Sequence, residues 1–166
     1  MKKLILVATL MCGMFSSTFA QKFGHVNSLE LLSKMPEVTL ADKQVEDFGK
    51  TLQDQLQGMV AEYKAKLEDY QAKASLMNDA IRKVKEQELG QLEQRIQEFQ
   101  NNAQDNITTK KKELYDPILK KADEAIKAVA KENGYTYVFD TSVGALLFVT
   151  DSDNILSIVS TKLGLK

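Results

Sequence analysis

The chain has 166 residues, with 22 lysines and arginines against 23 aspartates and glutamates, so its formal net charge is −1. That balance argues against nucleic acid as the main partner, because phosphate binding requires a clear cationic excess. The length suits a single domain, and with 7% aromatic residues and no Trp it can build one modest core or spread its apolar residues along an extended hairpin.

At the N-terminus, Lys2 and Lys3 precede an apolar stretch over residues 4–15, then Ser16, Ser17 and Thr18-Phe19-Ala20. A charged start, a short apolar middle and a small residue before Gln21 describe a secretory signal peptide. The apolar run is too short for a permanent membrane anchor. Cys12 raises a lipoprotein reading, but Met11 stands where a lipid-attachment site wants a small residue. Cleavage after Ala20 and export of a soluble chain are therefore expected. Loss of residues 1–20 removes the only cysteine, so the mature chain has no thiol nucleophile and forms no disulfide of its own. Lys2 and Lys3 go too, leaving 20 cationic residues against 23 acidic ones.

Residues 22–26 read as a short strand, and Asn27 and Ser28 offer cap oxygens to a short helix over residues 29–34. Between residues 39 and 131 there is one proline, Pro117, and three glycines, Gly49, Gly58 and Gly90, among strong helix formers. A helical region of that length should fold back on itself. Asn78 and Asp79 give the strongest cap signal inside it, and Pro36 and Pro117 lie almost equidistant from that point. Gly90 is the competing turn, but Leu89 and Leu92 continue the helical pattern across it. The tip is placed at residues 76–80, between arms of roughly 55–60 Å.

On the ascending arm Val45, Phe48, Leu52, Leu56, Met59, Tyr63, Leu67, Tyr70, Ala74 and Met77 recur at intervals of three and four. The pattern is an eleven-residue repeat, which predicts a nearly straight or slightly right-handed arm. The descending seam, Leu89, Leu92, Ile96, Phe99, Ala103, Ile107 and Leu114, is thinner, and residues 100–112 are especially polar. Such an arm should be pliable.

Pro117, with Asp116 before it, predicts a kink or brief break. The helix resumes through Ile118, Leu119, Ala122, Ile126 and Val129 and stops at Gly134. Residues 135–139 and 145–149 read as two strands around a turn, and a last helix carries Ile155, Leu156, Val159 and Leu163. The expected fold is mainly α: a long antiparallel coiled-coil hairpin, residues 39–116, projecting from a small β body made of residues 21–38 and 117–166. Three short strands with open edges cannot bury their own faces, and self-association is the simplest remedy.

Gly24-His25-Val26-Asn27, Pro36, Glu98-Phe99-Gln100, Pro117-Ile118-Leu119, residues 125–130, residues 134–140 and the closing Asn154-Ile155, Val159 and Leu163 occur in an order that resembles the Skp (OmpH) family of periplasmic chaperones. The resemblance covers essentially all of residues 21–166. It implies a homotrimer whose strands join in a barrel-like body, with Val26, Tyr135, Tyr137, Val138, Phe139, Leu146 and Phe148 in that body. It also implies helical arms around a cavity that holds unfolded outer-membrane proteins, without ATP, on the way to the outer-membrane assembly machinery. Two departures stand out: the best-known members are basic, whereas this mature chain is slightly acidic, and Leu156 stands where Ser or Thr is more usual. The first leaves membrane contact open.

Arg82, Lys83 and Lys85 gather near the expected tip and could draw in acidic clients or anionic headgroups. A solvated helix face balanced by Asp69, Asp79, Glu86 and Glu88 is the preferred reading. Met59, Tyr63, Tyr70 and Met77 could make adaptable apolar contacts with clients, but filling the interhelical seam is the more ordinary role. His25 lacks a mature Cys or a spaced carboxylate partner, so neither a metal nor a cofactor is expected. Glycine-rich phosphate loops and hydrolase motifs are absent from the sequence, and no enzyme is expected. The leading reading is a holding chaperone. Its rival is a structural adaptor of the cell envelope that docks a fixed partner through the hairpin tip.

Overall fold

The computed structural model describes residues 21–165, so the expected leader at residues 1–20, with Cys12, lies outside the described residues. Strand β1, Phe23–Val26, is followed by helix α1, Ser28–Ser33, whose cap Asn27 accepts a hydrogen bond from the Glu30 amide. Helix α2, Pro36–Lys73, rises for 38 residues. A short 3-10 turn, Ala74–Leu76, leads into helix α3, Asp79–Glu132, which returns for 54 residues. Strand β2, Tyr137–Asp140, a 3-10 turn at Asp151–Asp153 and helix α4, Leu156–Lys162, complete the chain.

At 1.5 Å per residue α2 is about 57 Å long and α3 about 81 Å, so α3 outruns its partner by some sixteen residues. That excess enters the base, where it packs on α1, α4 and the sheet. Register along the hairpin is constant. Tyr70 bonds Glu86 near the tip, while Asp42 bonds Tyr115 and Glu37 bonds Lys121 near the base. All three pairs are centred on residues 78–79, so the two helices pass one another with almost no slip.

Both helix ends of the fold-back follow local chemistry. Asn78 adopts an extended backbone and its Oδ1 accepts from the Ile81 amide at 2.9 Å, which satisfies one of the free donors of α3. At the far end Gly134 has φ +70°, and the Tyr135 amide reaches back to the Ala130 carbonyl at 2.9 Å.

Four expectations need correction. Helix α2 starts at Pro36 rather than near Thr39, because a proline's missing amide and fixed φ are harmless in a first turn. Helix α3 runs through Pro117 without a break. Ile118, Ala122, Ala125 and Val129 all belong to the base core, and their packing holds the helix beyond the proline. The first C-terminal strand begins at Tyr137, not at Tyr135, whose ring instead lies over Gly24. No strand forms over residues 145–149: within one chain β1 has β2 on one edge and a bridge from His25 to Asn154 on the other.

The sheet is therefore two parallel strands, with Phe23 opposite Tyr137, Gly24 opposite Val138 and His25 opposite Phe139. Its inner face closes the single core, in which Leu31, Ile155 and Val159 are fully buried together with Val26, Met35 and Val129. A Cβ on Gly24 would come within 2.9 Å of the Tyr135 ring, so only glycine permits this approach.

Candidate functional site: arm seam, tip and open sheet face

Helical periodicity decides what the arms can offer. All ten ascending seam positions are at least partly shielded, yet among them only Leu52 is buried. Met59, Tyr63, Tyr70 and Met77 all lie in that seam, half-buried against α3. From α3, Leu89 and Leu92 are buried, whereas Ile96, Phe99, Ala103, Ile107 and Leu114 are half-buried. Two helices alone cannot cover a wide apolar stripe, so these side chains keep part of their surface towards solvent. Over residues 100–112 only Ala103, Ile107 and Lys110 are shielded at all. Tyr70 donates to Glu86 Oε1 at 2.6 Å, and that bond to a carboxylate, followed by partial desolvation, holds the phenol above its usual range.

At the tip the chain makes a tied turn. Arg82 Nη2 donates to the carbonyls of Ala74 and Met77, each at 3.4 Å, and Nη1 pairs with Asp79 at 3.6 Å. Lys85 pairs with Glu88 at 2.9 Å, and this bond lowers the Glu88 carboxyl below its usual range. Two of the three tip cations are thus occupied within the arm, while Lys83 stays exposed and forms no ion pair among the described residues. Sequence reasoning overlooked the apolar component here. Leu76 is 85% exposed, and Ile81 and Val84 project from the first turns of α3. The usable signal was that Val84 falls off the stripe containing Leu89 and Leu92.

The base contains the third surface. Of the residues expected in the association body, Val26 is buried in the core, Val138 packs beside it and Tyr135 covers Gly24. Tyr137 and Phe139 point the other way. With Phe23 they form a stack with ring centroids 5.8–6.5 Å apart, and all three rings remain between 42% and 54% exposed. Leu146 and Phe148 border the same face, around a hollow of about 240 Å³ that also meets His25 and Thr150. Phe148 is 83% exposed, and Leu147 beside it is wholly exposed. Phe23 and Leu147 were not anticipated, although Phe23 alternates with His25 along β1.

Asp140 closes the sheet end. Its Oδ1 accepts from the amides of Ser28 and Ser142 at 3.1 and 2.9 Å, and its Oδ2 accepts from the Ser28 hydroxyl. Desolvation pushes this carboxyl up, but the hydrogen bonds outweigh it, and the net shift is downward. Among the described residues no group of three or more His, Cys, Asp or Glu is arranged to hold a metal ion. No described helix is long and apolar enough to cross a membrane.

An arm of two long helices on a small α/β base, with an aromatic face left open, defines a helical-hairpin protein. The family model described as outer membrane protein (OmpH-like) matches residues 22–163, and the chain belongs to that family. It is 27% identical over 150 residues to a protein of Vibrio cholerae named chaperone protein Skp, covering 86% of this chain and 88% of the relative. A protein of the same name from Yersinia enterocolitica is 30% identical over 148 residues, covering 87% and 90%. The crystal structure of an OmpH-like outer membrane chaperone from Caulobacter crescentus superposes with a TM-score of 0.76 over 90% of this chain and 89% of that one. At 12% identity it supports the fold alone.

Proposed function

We propose that this chain is an ATP-independent, non-enzymatic holding chaperone of the periplasm. Copies associate as a trimer through the aromatic face of the base, and their arms enclose a cavity. Unfolded outer-membrane proteins are held there by many weak apolar contacts until they pass to the outer-membrane assembly machinery. The observation that carries this reading is the seam: apolar side chains run the full length of the arm, yet most are only half covered. Such a surface can grip chains of varied sequence, because no single contact dominates. The leader-like residues 1–20 support export, and the relatives named as chaperones support the role.

Self-association draws support from the base. Phe23, Tyr137 and Phe139 form an apolar patch of a kind that monomeric proteins rarely leave open. Residues 145–149 have a strand's composition but no ladder within the chain, and β2 has an unpaired edge among the described residues. The test is dilution of a urea-denatured outer-membrane porin into an excess of the purified protein, followed by light scattering. Suppressed aggregation is expected; unchanged aggregation at trimer excess contradicts the proposal.

The exposed Leu76, Ile81 and Val84 favour a second reading, an envelope adaptor that docks a fixed partner through its tip. Leu76→Ser separates the two. An adaptor loses its activity with this one change, whereas a chaperone retains porin protection.

A further inference from the structure

We propose that His25 is a proton-sensitive latch on the association face: neutral, it fastens residues 143–150 to the sheet, and protonated, it releases them. The inference rests on the reading that copies of this chain associate through that face. His25 is 6% exposed, the one buried polar residue among the described residues, and it lines the hollow on the association face rather than the core. Its Nε2 lies 3.0 Å from the Thr150 carbonyl oxygen, which can only accept, so Nε2 carries the ring's proton. Nδ1 is then a bare lone pair, buried and without a partner. A second proton would create a cationic N–H shielded from solvent and without a protein acceptor.

The surroundings do not offer compensation. From β2 the ring meets Phe139, while Asp140 lies on the opposite face, committed to Ser28 and Ser142. Just before β1, Lys22 is turned away, with Nζ donating to the Asn133 carbonyl. Helix α4 approaches through the Ile155 amide, which bonds the His25 carbonyl at 2.9 Å. Asp153 is the one carboxylate lining the hollow, and its Oδ2 accepts instead from Thr150 Oγ1 at 2.7 Å; Asp151 precedes it in the same turn without lining the hollow.

Protonation therefore requires the ring to leave the Thr150 carbonyl or the hollow to open to water. Either change frees the segment that presents Leu146, Leu147 and Phe148. Association covers the hollow further, so the assembled form binds fewer protons than the dispersed chain. By linkage, association weakens as pH falls.

The chain has a single histidine, so its ring resonances in an NMR spectrum belong to His25 alone. The experiment is sedimentation equilibrium of the purified protein, His25→Gln and His25→Phe, at about pH 7.5 and about pH 5.5 and constant ionic strength, with the ring resonances followed on dilution. Gln retains a donor for Thr150, Phe fills the space, and neither titrates. The wild-type half-dissociation concentration should rise about tenfold at the lower pH, while both variants stay flat and the ring gains its proton only on dispersal. Equal wild-type association at the two pH values overturns the latch, as does an unchanged pH dependence in either variant that folds. A wild-type chain that is monomeric throughout overturns self-association and the latch together, whereas a stable but pH-insensitive assembly overturns the latch alone.

Discussion

Base and arm are built from the same helix α3 but obey different physics. In the base, α3 meets α1, α4 and a sheet, and Ile118, Ala122, Ala125 and Val129 reach near-complete burial within about three turns. In the arm it meets only α2, and of its seam only Leu89 and Leu92 are buried. Burial, not propensity, sets helix stability in a folded protein. The base should therefore unfold as one cooperative unit, and the arm should open locally at lower free energy. Rigidity is concentrated where copies are proposed to meet, and compliance where clients are proposed to be held.

The largest expected effect is in the base. Leu31→Ala, at a fully buried site, should destabilise the fold by about 2–5 kcal/mol, whereas Leu56→Ala in the half-covered seam should stay below about 1.5 kcal/mol. Urea unfolding followed by circular dichroism checks both, and equal losses would erase the distinction. Gly24→Ala comes next. The new methyl group would collide with the Tyr135 ring and press on Ile155 at 3.3 Å, which costs about 1–3 kcal/mol unless the ring moves. Tyr135→Ala in the same background should recover much of that loss.

Asn78→Ala should remove about 1 kcal/mol from the tip through its lost cap, and should speed amide exchange at residues 79–82 while leaving Val129 and Val159 untouched. The smallest effect concerns acid. The Asp140 carboxyl is lower in the folded state than its unfolded value of 3.8, so it adds stability that is fully present above that value. This stability is lost as pH falls through the depressed folded value. The stability gap between wild type and Asp140→Asn should therefore shrink in strong acid and stay constant above about pH 5. A gap that widens in acid would contradict the hydrogen-bonded account of this group.

How much of this was legible beforehand followed the range of the interactions. The ten-residue seam from Val45 to Met77, the Asn78 cap and the Gly134 stop depend on residues close in sequence, and all three appear in the structure. Pro117 does not break the helix, because its local preference is outweighed by packing from α1, α4 and the sheet. Residues 145–149 misled for a different reason: their composition suits a strand, but one chain provides no ladder for them. The stack of Phe23, Tyr137 and Phe139 needs the parallel register of strands more than a hundred residues apart. The charge balance of Arg82 with Asp79 was legible, but its backbone carbonyl partners are invisible until the turn is folded.

Hydrogen exchange of the protein with and without a captured urea-denatured porin tests the central claim most directly. Modest added protection spread along residues 39–116, with the buried base around Val129 and Val159 unchanged, is the predicted result. Protection confined to residues 74–84, or no change along the arm while the porin stays in solution, would contradict it.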